Sequence, residues 1–363
     1  MKKNNKICFI LGTRPEIIKM YPLIKLAESK KVKFFIIHTN QHYDEKMDKI
    51  FFDELEIPQP TFNLNIGSGS HGKQTGEMMI KIEEVLQKEN PDIVFVQGDT
   101  NTVLAGALVA SKLGVKVGHI EAGLRSYDRS MPEEANRVVT DHISDYLFCP
   151  NKKQQEIILD EGISSEKVVV TGNTVVDAAN LGLKTASKKM GILKQLNLEK
   201  NEYFLLTCHR PSNTDCEKNF KSIIQAISTI CSEEKKICIF PIHPRLKHKK
   251  DYIESFKNIK CVDPVGYLDM LSLQQNSKMI FTDSGGIQEE SAILHKKCLI
   301  LRLNTERPES LLSGGAVLLK EISQKNIFEV YRSLEKIEPD WKISPFGNGD
   351  ACERIFKFIG INV

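Results

Sequence analysis

Residues 6–19, KICFILGTRPEIIK, contain the pattern that decides the fold. A short apolar run ends at a glycine, and a helix start follows it without a spacer. Thr13 and Glu16 have the T-x-x-E spacing of a capping box, and Pro15 suits the first turn of a helix. This stretch therefore predicts a buried strand that passes directly into an α-helix.

The same alternation of apolar runs and helical patterns recurs along the chain. The runs of the first half are KICFIL, KFFIIH, DIVFVQ, KVGHI, YLFC and KVVVT, and those of the second half are YFLLTC, KICIFP, NIKCVD, KMIFTD, KCLIL and AVLL. Near-continuous apolar strands joined by helices are typical of parallel sheets covered on both faces. We therefore predict an α/β protein of two Rossmann-like, doubly wound parallel-sheet domains that face each other across a cleft.

Length also favours two domains, because 363 residues exceed what one hydrophobic core usually organises. We place the first domain at residues 1–175 and the second at residues 176–345. The join falls in the region between Gly172 and Ala186.

Composition is that of an ordinary globular enzyme, with 41% hydrophobic and 27% charged residues. The 50 Lys and Arg residues nearly balance 47 Asp and Glu residues, and no long basic run occurs, so we expect no nucleic-acid partner. The first apolar run, KICFIL, is too short for a signal-peptide core or a membrane span. The nine cysteines include no CxxC pair, which favours reduced core thiols. We expect a cytoplasmic protein without membrane contact.

The first candidate binding loop follows the first strand, because ligands of open parallel sheets bind beyond the carboxyl ends of the strands. A helix N-terminus with Arg14 and Lys19 nearby favours an anion. An ordinary capped helix would explain Thr13, Pro15 and Glu16, but it would leave the two cations unexplained.

A second candidate anion site follows the strand KMIFTD, in the segment DSGGIQEE. Gly285 and Gly286 allow backbone amides to approach a ligand, and Ser284 adds a hydroxyl. Glu289 or Glu290 could accept hydrogen bonds from ribose hydroxyls. The segment is not a Walker A loop, and neither half has G-x-G-x-x-G after its first strand, which disfavours kinases and dehydrogenases.

Three acids of the first half, Asp99, Glu121 and Glu133, follow apolar strands. A parallel sheet would bring them to one edge, where like-charge repulsion raises the pKa of a carboxyl group. Ordinary alternatives stay open at this point. Asp99 could cap the helix that begins at Thr100, and Glu133 and Glu134 could be first-turn charges of a helix.

Histidines also end strands of the second half. His209 closes the strand YFLLTC with Arg210 beside it, and a histidine there could stabilise or protonate a departing phosphate oxygen. His243 ends the next strand and is the weaker candidate. His38 and His42 are four residues apart, but the segment between them resembles a strand-end loop, so we predict no metal site.

Nine motifs, taken in order, closely resemble those of the non-hydrolysing UDP-N-acetylglucosamine 2-epimerases: GTRPEIIK, NQH, GDTNTVLAG, GHIEAGLRS, MPEEANR, GNTVVDA, CHRPSN, TDSGGIQEE and TERPE. The resemblance spans nearly the whole chain and extends to PFGNGDA near its end. It implies a fold of the glycosyltransferase-B type, a homodimer, and neither metal nor nicotinamide cofactor. It also implies that residues 346–363 form a last helix that packs back on the first domain.

The resemblance implies a reaction on a UDP-amino sugar. UDP is eliminated across C1 and C2 to give a 2-acetamidoglucal, and it is added back with the proton on the other face. Asp99, Glu121 and Glu133 would surround C2, and His209 would stabilise the leaving UDP. The implied substrate-binding residues are Arg14 and Lys19 near the diphosphate, Ser284, Gly285 and Gly286 at a phosphate seat, Glu290 on the ribose, Tyr267 beside uracil, Arg307 as a charged clamp, and His42, Arg137 and Arg210.

Some positions depart from the family pattern. Ser212 stands where the family commonly has an acid, and Leu303-Asn304 replaces an Asp-Thr pair. The segment IGSGSHGKQTG, residues 66–76, resembles the branch with archaeal enzymes and epimerases of UDP-diacetamido-glucuronic acid. It lacks the arginine that bacterial relatives use for an allosteric second UDP-sugar, so we do not predict that activation.

The leading hypothesis is interconversion of UDP-N-acetylglucosamine and UDP-N-acetylmannosamine in surface-polysaccharide synthesis. One alternative is the same chemistry on UDP-2,3-diacetamido-2,3-dideoxy-glucuronic acid. The others are a glycosyltransferase of the same fold, a hydrolysing epimerase and an inactive sugar-nucleotide sensor.

Overall fold

The computed structural model describes residues 6–41, 51–188 and 191–362. The chain divides into two compact units, Met1–Asn180 with Phe346–Val363, and Leu181–Pro345.

Parallel strands and helices alternate along both units. The strands are β1 (Lys6–Leu11), β2 (Lys33–His38), β3 (Phe62–Asn63), β4 (Ile93–Gln97), β5 (Lys116–Ile120), β6 (Tyr146–Cys149), β7 (Val168–Val170), β8 (Tyr203–Thr207), β9 (Ile237–Pro241), β10 (Ile259–Val262), β11 (Ile280–Thr282), β12 (Cys298–Ile300) and β13 (Ala316–Leu318). The α-helices with both ends described are α1 (Arg14–Ser29), α2 (His71–Glu89), α3 (Asn101–Lys112), α4 (Pro132–Ile143), α5 (Lys152–Asp160), α6 (Thr174–Ala186), α7 (Ile192–Leu196), α8 (Pro211–Thr214), α9 (Glu217–Glu234), α10 (Lys250–Glu254), α11 (Tyr267–Asn276), α12 (Gly285–Ile293), α13 (Gln324–Lys336) and α14 (Ala351–Phe358). Short 3-10 helices span Ser165–Lys167, Pro244–Lys249 and Pro308–Leu311.

The first unit is built on a seven-stranded parallel sheet in the order β3-β2-β1-β4-β5-β6-β7. β1 is central, and its residues from Ile7 to Leu11 are fully buried because helices cover both faces. The strand order reverses between β1 and β4, which pair in parallel. Loops after these two strands therefore meet at a topological switch point, the usual ligand position in such sheets.

The second unit repeats this arrangement with six parallel strands in the order β10-β9-β8-β11-β12-β13. Its switch point lies between β8 and β11, where Thr207 is the register partner of Thr282. The Oγ1 atoms of these two threonines are 2.6 Å apart. The ends of β8 and β11 are thereby tied together just before the loops that carry His209 and Ser284.

The predicted fold class, two α/β units with parallel sheets, is confirmed, and every predicted apolar run contains a strand. Strand β3 was not predicted, because it has only two residues and no apolar run. β3 pairs with the end of β2 at the sheet edge, so neighbouring backbone rather than its own composition makes it a strand.

Helix α14 belongs to the first unit and buries Ile355 and Phe356. Its N-terminus is capped by a distant residue, since the Asp177 carboxylate of α6 accepts hydrogen bonds from the backbone N–H groups of Ala351 at 3.3 Å and Cys352 at 3.1 Å. Burial raises the pKa of Asp177. Within the described part of the chain, no helix is both long and apolar enough to cross a membrane.

Candidate functional site

Glu121 lies directly after β5, and side chains from three other segments surround its carboxylate. Both carboxylate oxygens are 2.8 Å from Lys19 Nζ. Gln97 Nε2 donates to Oε2, and Asn173 Nδ2 donates to Oε1 at 3.3 Å. The backbone φ of Glu121 is 70°, a left-handed conformation that non-glycine residues seldom adopt. Such backbone conformations cluster at functional sites, which makes Glu121 a strong candidate for chemistry.

Helix α1 supplies the cation of this pair. The side chains of Lys19 and Glu121 are only 11% and 7% exposed, so each charge compensates the burial of the other. Arg14, one turn earlier, is exposed, and its guanidinium lies 4.4 Å from the centre of the Phe51 ring. The two cations of the first candidate loop therefore differ, since Lys19 is held in the unit and Arg14 faces outward.

Asp99 follows β4 and contacts helix α4. Arg137 Nη2 donates to Asp99 Oδ2, and Arg137 Nη1 donates to Glu134 Oε2 at 2.8 Å. Asn136 Nδ2 also donates to the backbone carbonyl of Asp99 at 2.9 Å. Arg137 therefore lies between two carboxylates. The like charges at this edge of the sheet are offset by Lys19 and Arg137 rather than left to repel one another.

The structure bears on the non-catalytic interpretations of Asp99, Glu133 and Glu134. Helix α3 is capped by Thr100, so the interpretation of Asp99 as its cap is wrong. Of the two acids in the first turn of α4, Glu134 is buried and accepts a hydrogen bond from the backbone N–H of Ser126 at 2.9 Å. Glu133 is half-buried, and its carboxylate forms no hydrogen bond or ion pair with the described residues. Its catalytic role stays a prediction.

Glu16 is a fully enclosed carboxylate whose importance the sequence analysis missed. Its Oε2 accepts hydrogen bonds from the backbone N–H groups of Gly12 at 2.6 Å and Thr13 at 3.3 Å, and Oε1 accepts from Thr100 Oγ1 at 2.6 Å. Burial raises the pKa of Glu16 to about 7, although the hydrogen bonds act in the opposite direction. Glu16 therefore joins the loops after β1 and β4. The T-x-x-E spacing was its only signal in the sequence.

Asp283 follows β11, and it joins two strand-end loops of the second unit as Glu16 does in the first. Its buried carboxylate accepts hydrogen bonds from the backbone N–H groups of His209 at 3.1 Å and Arg210 at 3.0 Å, and from Asn213 Nδ2 at 3.1 Å. His209 Nδ1 lies 2.9 Å from Asp283 Oδ1. Burial by itself raises the pKa of Asp283, but the contacts with His209 and Arg210 outweigh it and lower the pKa below its ordinary value.

The Asp283 contact orients His209. With Nδ1 facing the carboxylate, Nε2 is the nitrogen directed away from Asp283, on a side chain that is 42% exposed. The His243 ring is centred 6.1 Å from the His209 ring, and burial together with the His209 charge lowers the pKa of His243. Arg210 Nη2 lies 3.2 Å from Glu306 Oε2. His209 was predicted as a site residue from the sequence, whereas Asp283 was not, although it is the first residue of the DSGG segment.

The second candidate anion site is the N-terminus of α12. Ser284 is its N-cap, and Gly285 and Gly286 form its first turn. A β-carbon built at either glycine would meet no atom within 4 Å, so packing within the chain does not require glycine there. The missing side chains leave the first-turn N–H groups open to an anion, which the helix dipole favours.

Two of the remaining predicted binding residues of the second unit, Glu290 and Arg307, pair with side chains of the same unit. Gln274 Nε2 donates to Glu290 Oε2 at 2.5 Å, and Arg307 Nε lies 2.8 Å from Glu289 Oε1. Tyr267 is the first residue of α11 and is buried. Of the two acids considered for ribose, one is thus bound by an amide and the other by an arginine.

The two histidines considered as a metal pair, His38 and His42, differ in that the structure describes only the first. His42 lies outside the described residues. His38 ends β2, where burial lowers its pKa to about 4. Among the residues that the structure describes, no group of three or more His, Cys, Asp or Glu side chains could hold a metal ion.

Comparison with known proteins finds matches along the chain. The model of the family described as UDP-N-acetylglucosamine 2-epimerase matches residues 24–360. A UDP-N-acetylglucosamine 2-epimerase of Methanocaldococcus jannaschii is 52% identical over 98% of both chains. A UDP-2,3-diacetamido-2,3-dideoxy-D-glucuronate 2-epimerase of Pseudomonas aeruginosa is 38% identical over 98% of this chain and 99% of the relative. The crystal structure of the M. jannaschii enzyme in complex with UDP-GlcNAc and UDP superposes with a TM-score of 0.83 at 51% identity, covering 98% of this chain and 99% of that one.

Proposed function

The chain belongs to the UDP-N-acetylglucosamine 2-epimerase family, and from this premise we propose that it interconverts UDP-N-acetylglucosamine and UDP-N-acetylmannosamine. The observation that carries the proposal is the 52% identity with the M. jannaschii enzyme over 98% of both chains. The reaction eliminates UDP from C1 and a proton from C2 to give a 2-acetamidoglucal, and then adds UDP back to C1 with a proton delivered to the opposite face of C2. Elimination suits a weakly acidic C2 proton, because a leaving UDP takes up the developing negative charge.

The acid–base groups of this proposal are the strand-end residues of the first unit. Glu121 is the preferred group for proton transfer at C2, supported by its strained backbone and its buried pair with Lys19. Asp99 and Glu133 are the two further carboxylates. Arg137 contributes by holding Asp99.

The leaving UDP is assigned to the second unit. His209 is proposed to stabilise or protonate the departing phosphate oxygen through Nε2, since Asp283 holds Nδ1. A buried carboxylate in this position fixes the tautomer and the orientation of an imidazole. Arg210 adds a cation beside it.

The nucleotide is proposed to bind at the start of α12. Its diphosphate would accept hydrogen bonds from the N–H groups at Gly285 and Gly286, with Ser284 as a hydroxyl donor. Glu290 is the proposed ribose partner. Tyr267 is assigned to the uracil ring, and Arg14, Lys19, His42 and Arg307 complete the proposed set.

Deuterium incorporation tests the reaction. The purified protein is incubated with UDP-N-acetylglucosamine in deuterated water, and products are followed by NMR. We expect UDP-N-acetylmannosamine with deuterium at C2. Epimer without deuterium would contradict the elimination, free UDP with a free mannosamine derivative would indicate a hydrolysing enzyme, and strict dependence on an added acceptor would indicate a glycosyltransferase.

One specific observation favours a second substrate. The 38% identical P. aeruginosa relative is named for UDP-2,3-diacetamido-2,3-dideoxy-D-glucuronate, and residues 66–76 resemble that branch. Comparing kcat/KM for the two UDP-sugars on the same preparation decides between them. We expect the N-acetylglucosamine derivative to be preferred.

We further propose that the chain is a homodimer in the cytoplasm. Exposed apolar side chains on helices of the first unit support self-association: Ile80 of α2 is 62% exposed and Val139 of α4 is 41% exposed. All nine cysteines are free, as in reducing compartments. Light scattering after size exclusion should give twice the chain mass, and replacing both Ile80 and Val139 with lysine should shift it to the monomer.

A further inference from the structure

A buried ionic network beside the candidate acids has no part in the chemistry described above. His119 on β5 and Asp141 at the end of α4 are both fully buried, with His119 Nδ1 2.6 Å from Asp141 Oδ1. Asp141 Oδ2 lies 2.7 Å from Arg125 Nη1. Arg125 in turn pairs with Glu161 at 2.6 Å, and Glu161 is the partner nearest the solvent.

Both ring nitrogens of His119 face acceptors. Nδ1 faces the Asp141 carboxylate, and Nε2 lies 2.8 Å from the carbonyl oxygen of Gly98. A histidine with two acceptors must donate from both nitrogens, which requires the imidazolium form. Burial by itself lowers the pKa of His119, but Asp141 and the Gly98 carbonyl outweigh it and raise the pKa above its ordinary value.

The two backbone groups held by this pair flank the two best-placed candidate acids. His119 binds the carbonyl of Gly98, the residue before Asp99, and Asp141 Oδ2 accepts from the backbone N–H of Gly123 at 3.1 Å, two residues after Glu121. Backbone φ is positive at Gly98 (85°), Glu121 (70°) and Gly123 (83°), and Glu121 is the one non-glycine of these three. The Glu121 turn is thus in a conformation that needs support from outside itself.

We propose that His119 and Asp141 are a positioning pair that holds the Asp99 turn and the Glu121 turn in register for proton transfer. This inference rests on the proposed 2-epimerase function. Neither side chain touches the substrate in this scheme. They act through the backbone, with one imidazolium and one carboxylate connecting the ends of β4 and β5.

A double-mutant cycle separates positioning from simple stabilisation. His119→Gln keeps one donor but cannot reach both Gly98 and Asp141, and we expect kcat to fall about 10- to 100-fold with KM nearly unchanged, as for a small misplacement of catalytic groups. In a Glu121→Gln background the same change should lower kcat less than threefold, because the register between the Asp99 and Glu121 turns matters only while the Glu121 carboxylate takes part in proton transfer. Equal losses in both backgrounds would overturn the proposal.

Glu161→Gln is the matched control. It removes an ion pair from the outer end of the same network, while the contacts of Asp141 with His119, Gly123 and Arg125 stay in place. We expect its kcat to equal that of the wild type, with thermal unfolding measured for each variant. A loss of kcat in Glu161→Gln as large as in His119→Gln would show that general weakening of the network suffices and would refute positioning.

Histidine ring spectra provide a test that needs no activity. In wild-type protein labelled with ¹⁵N-histidine, His119 should show two slowly exchanging ring N–H signals at neutral pH, assigned by their loss in His119→Gln. A single ring N–H would overturn the proposed bridge. If the wild type makes no epimer while both signals are present, the proposed function fails and the bridge stands; if it makes epimer and His119→Gln is fully active, the positioning role alone fails.

Discussion

Each unit places one buried carboxylate at its switch point, and the two carboxylates differ in their pKa. Glu16 joins the loops after β1 and β4, and Asp283 joins the loops after β8 and β11. The pKa of Glu16 is raised to about 7, whereas that of Asp283 is lowered. The cause is the partners, because Glu16 accepts only from neutral N–H and O–H groups while Asp283 also faces His209. Burial of a carboxylate between two strand-end loops therefore has opposite results when one of the two sites includes a histidine.

Glu16 and Asp283 hold strand-end loops and are not proposed to transfer protons. The largest loss of activity is therefore expected from a change at Glu121. Glu121→Gln should lower kcat by roughly two to four decades, the usual range for lost acid–base catalysis, while UDP affinity changes by no more than a few-fold. Steady-state kinetics and calorimetric titration with UDP measure the two quantities. Glu89→Gln is the matched control, since it breaks a similar 2.8 Å pair with Lys6 at the far end of β1. A Glu121→Gln enzyme with near-normal turnover would remove Glu121 from the mechanism.

Glu16→Gln should have the next largest effect, on stability. A carboxyl whose folded pKa is raised contributes stability fully below its unfolded pKa of 4.5 and loses it as the pH rises through about 7. Relative to Glu16→Gln, the wild type should therefore lose up to about 3 kcal/mol of unfolding free energy across this window and change little above it. Urea unfolding of both proteins between pH 4.5 and 8.5 measures this difference. If the unfolding free energies of the wild type and Glu16→Gln change in parallel with pH, the raised pKa of Glu16 is contradicted.

Asp283→Asn should show the opposite pH behaviour and a smaller catalytic loss. Because the folded pKa of Asp283 is lowered, its stabilising contribution is present above 3.8 and disappears as the pH falls through the folded pKa. Loss of the carboxylate also frees His209 to adopt the other tautomer, so we expect kcat to fall roughly 10- to 100-fold. Asp177→Asn, which alters a buried carboxylate that also binds two backbone N–H groups, should destabilise the protein without lowering kcat. Equal kcat values for Asp283→Asn and Asp177→Asn would contradict a role of Asp283 in orienting His209.

Gly285→Ala should have the smallest effect. The site has room for a β-carbon within the chain, so the unfolding free energy should stay within about 0.5 kcal/mol of the wild type. A diphosphate that approaches the helix N-terminus closely should bind about 10-fold more weakly. Gly191→Ala, at the open glycine that is the N-cap of α7, should leave UDP affinity unchanged. Unchanged UDP affinity in Gly285→Ala would show that the diphosphate does not bind at the N-terminus of α12.

The fold was largely predictable because apolar runs report burial directly. Runs such as KICFIL and YFLLTC predicted strands at the centres of two sheets, and loops at strand ends were correctly expected to hold polar residues. Which charged side chains pair with one another was not predictable. Glu133 and Glu134 are adjacent in sequence, but only Glu134 reaches Arg137, because helix periodicity points the two side chains in different directions.

The amino-acid sequence by itself determined the alternating strands and helices, the capped helix starts and the positions of the reactive side chains along the chain, since each of these depends on near neighbours. Only the tertiary structure decided which charges meet. Glu121 receives Lys19, Gln97 and Asn173 from three distant segments, and Asp283 receives His209 from 74 residues away. Such contacts depend on the sheet bringing separate strand ends together, and the resulting electrostatics follow from burial and from that pairing.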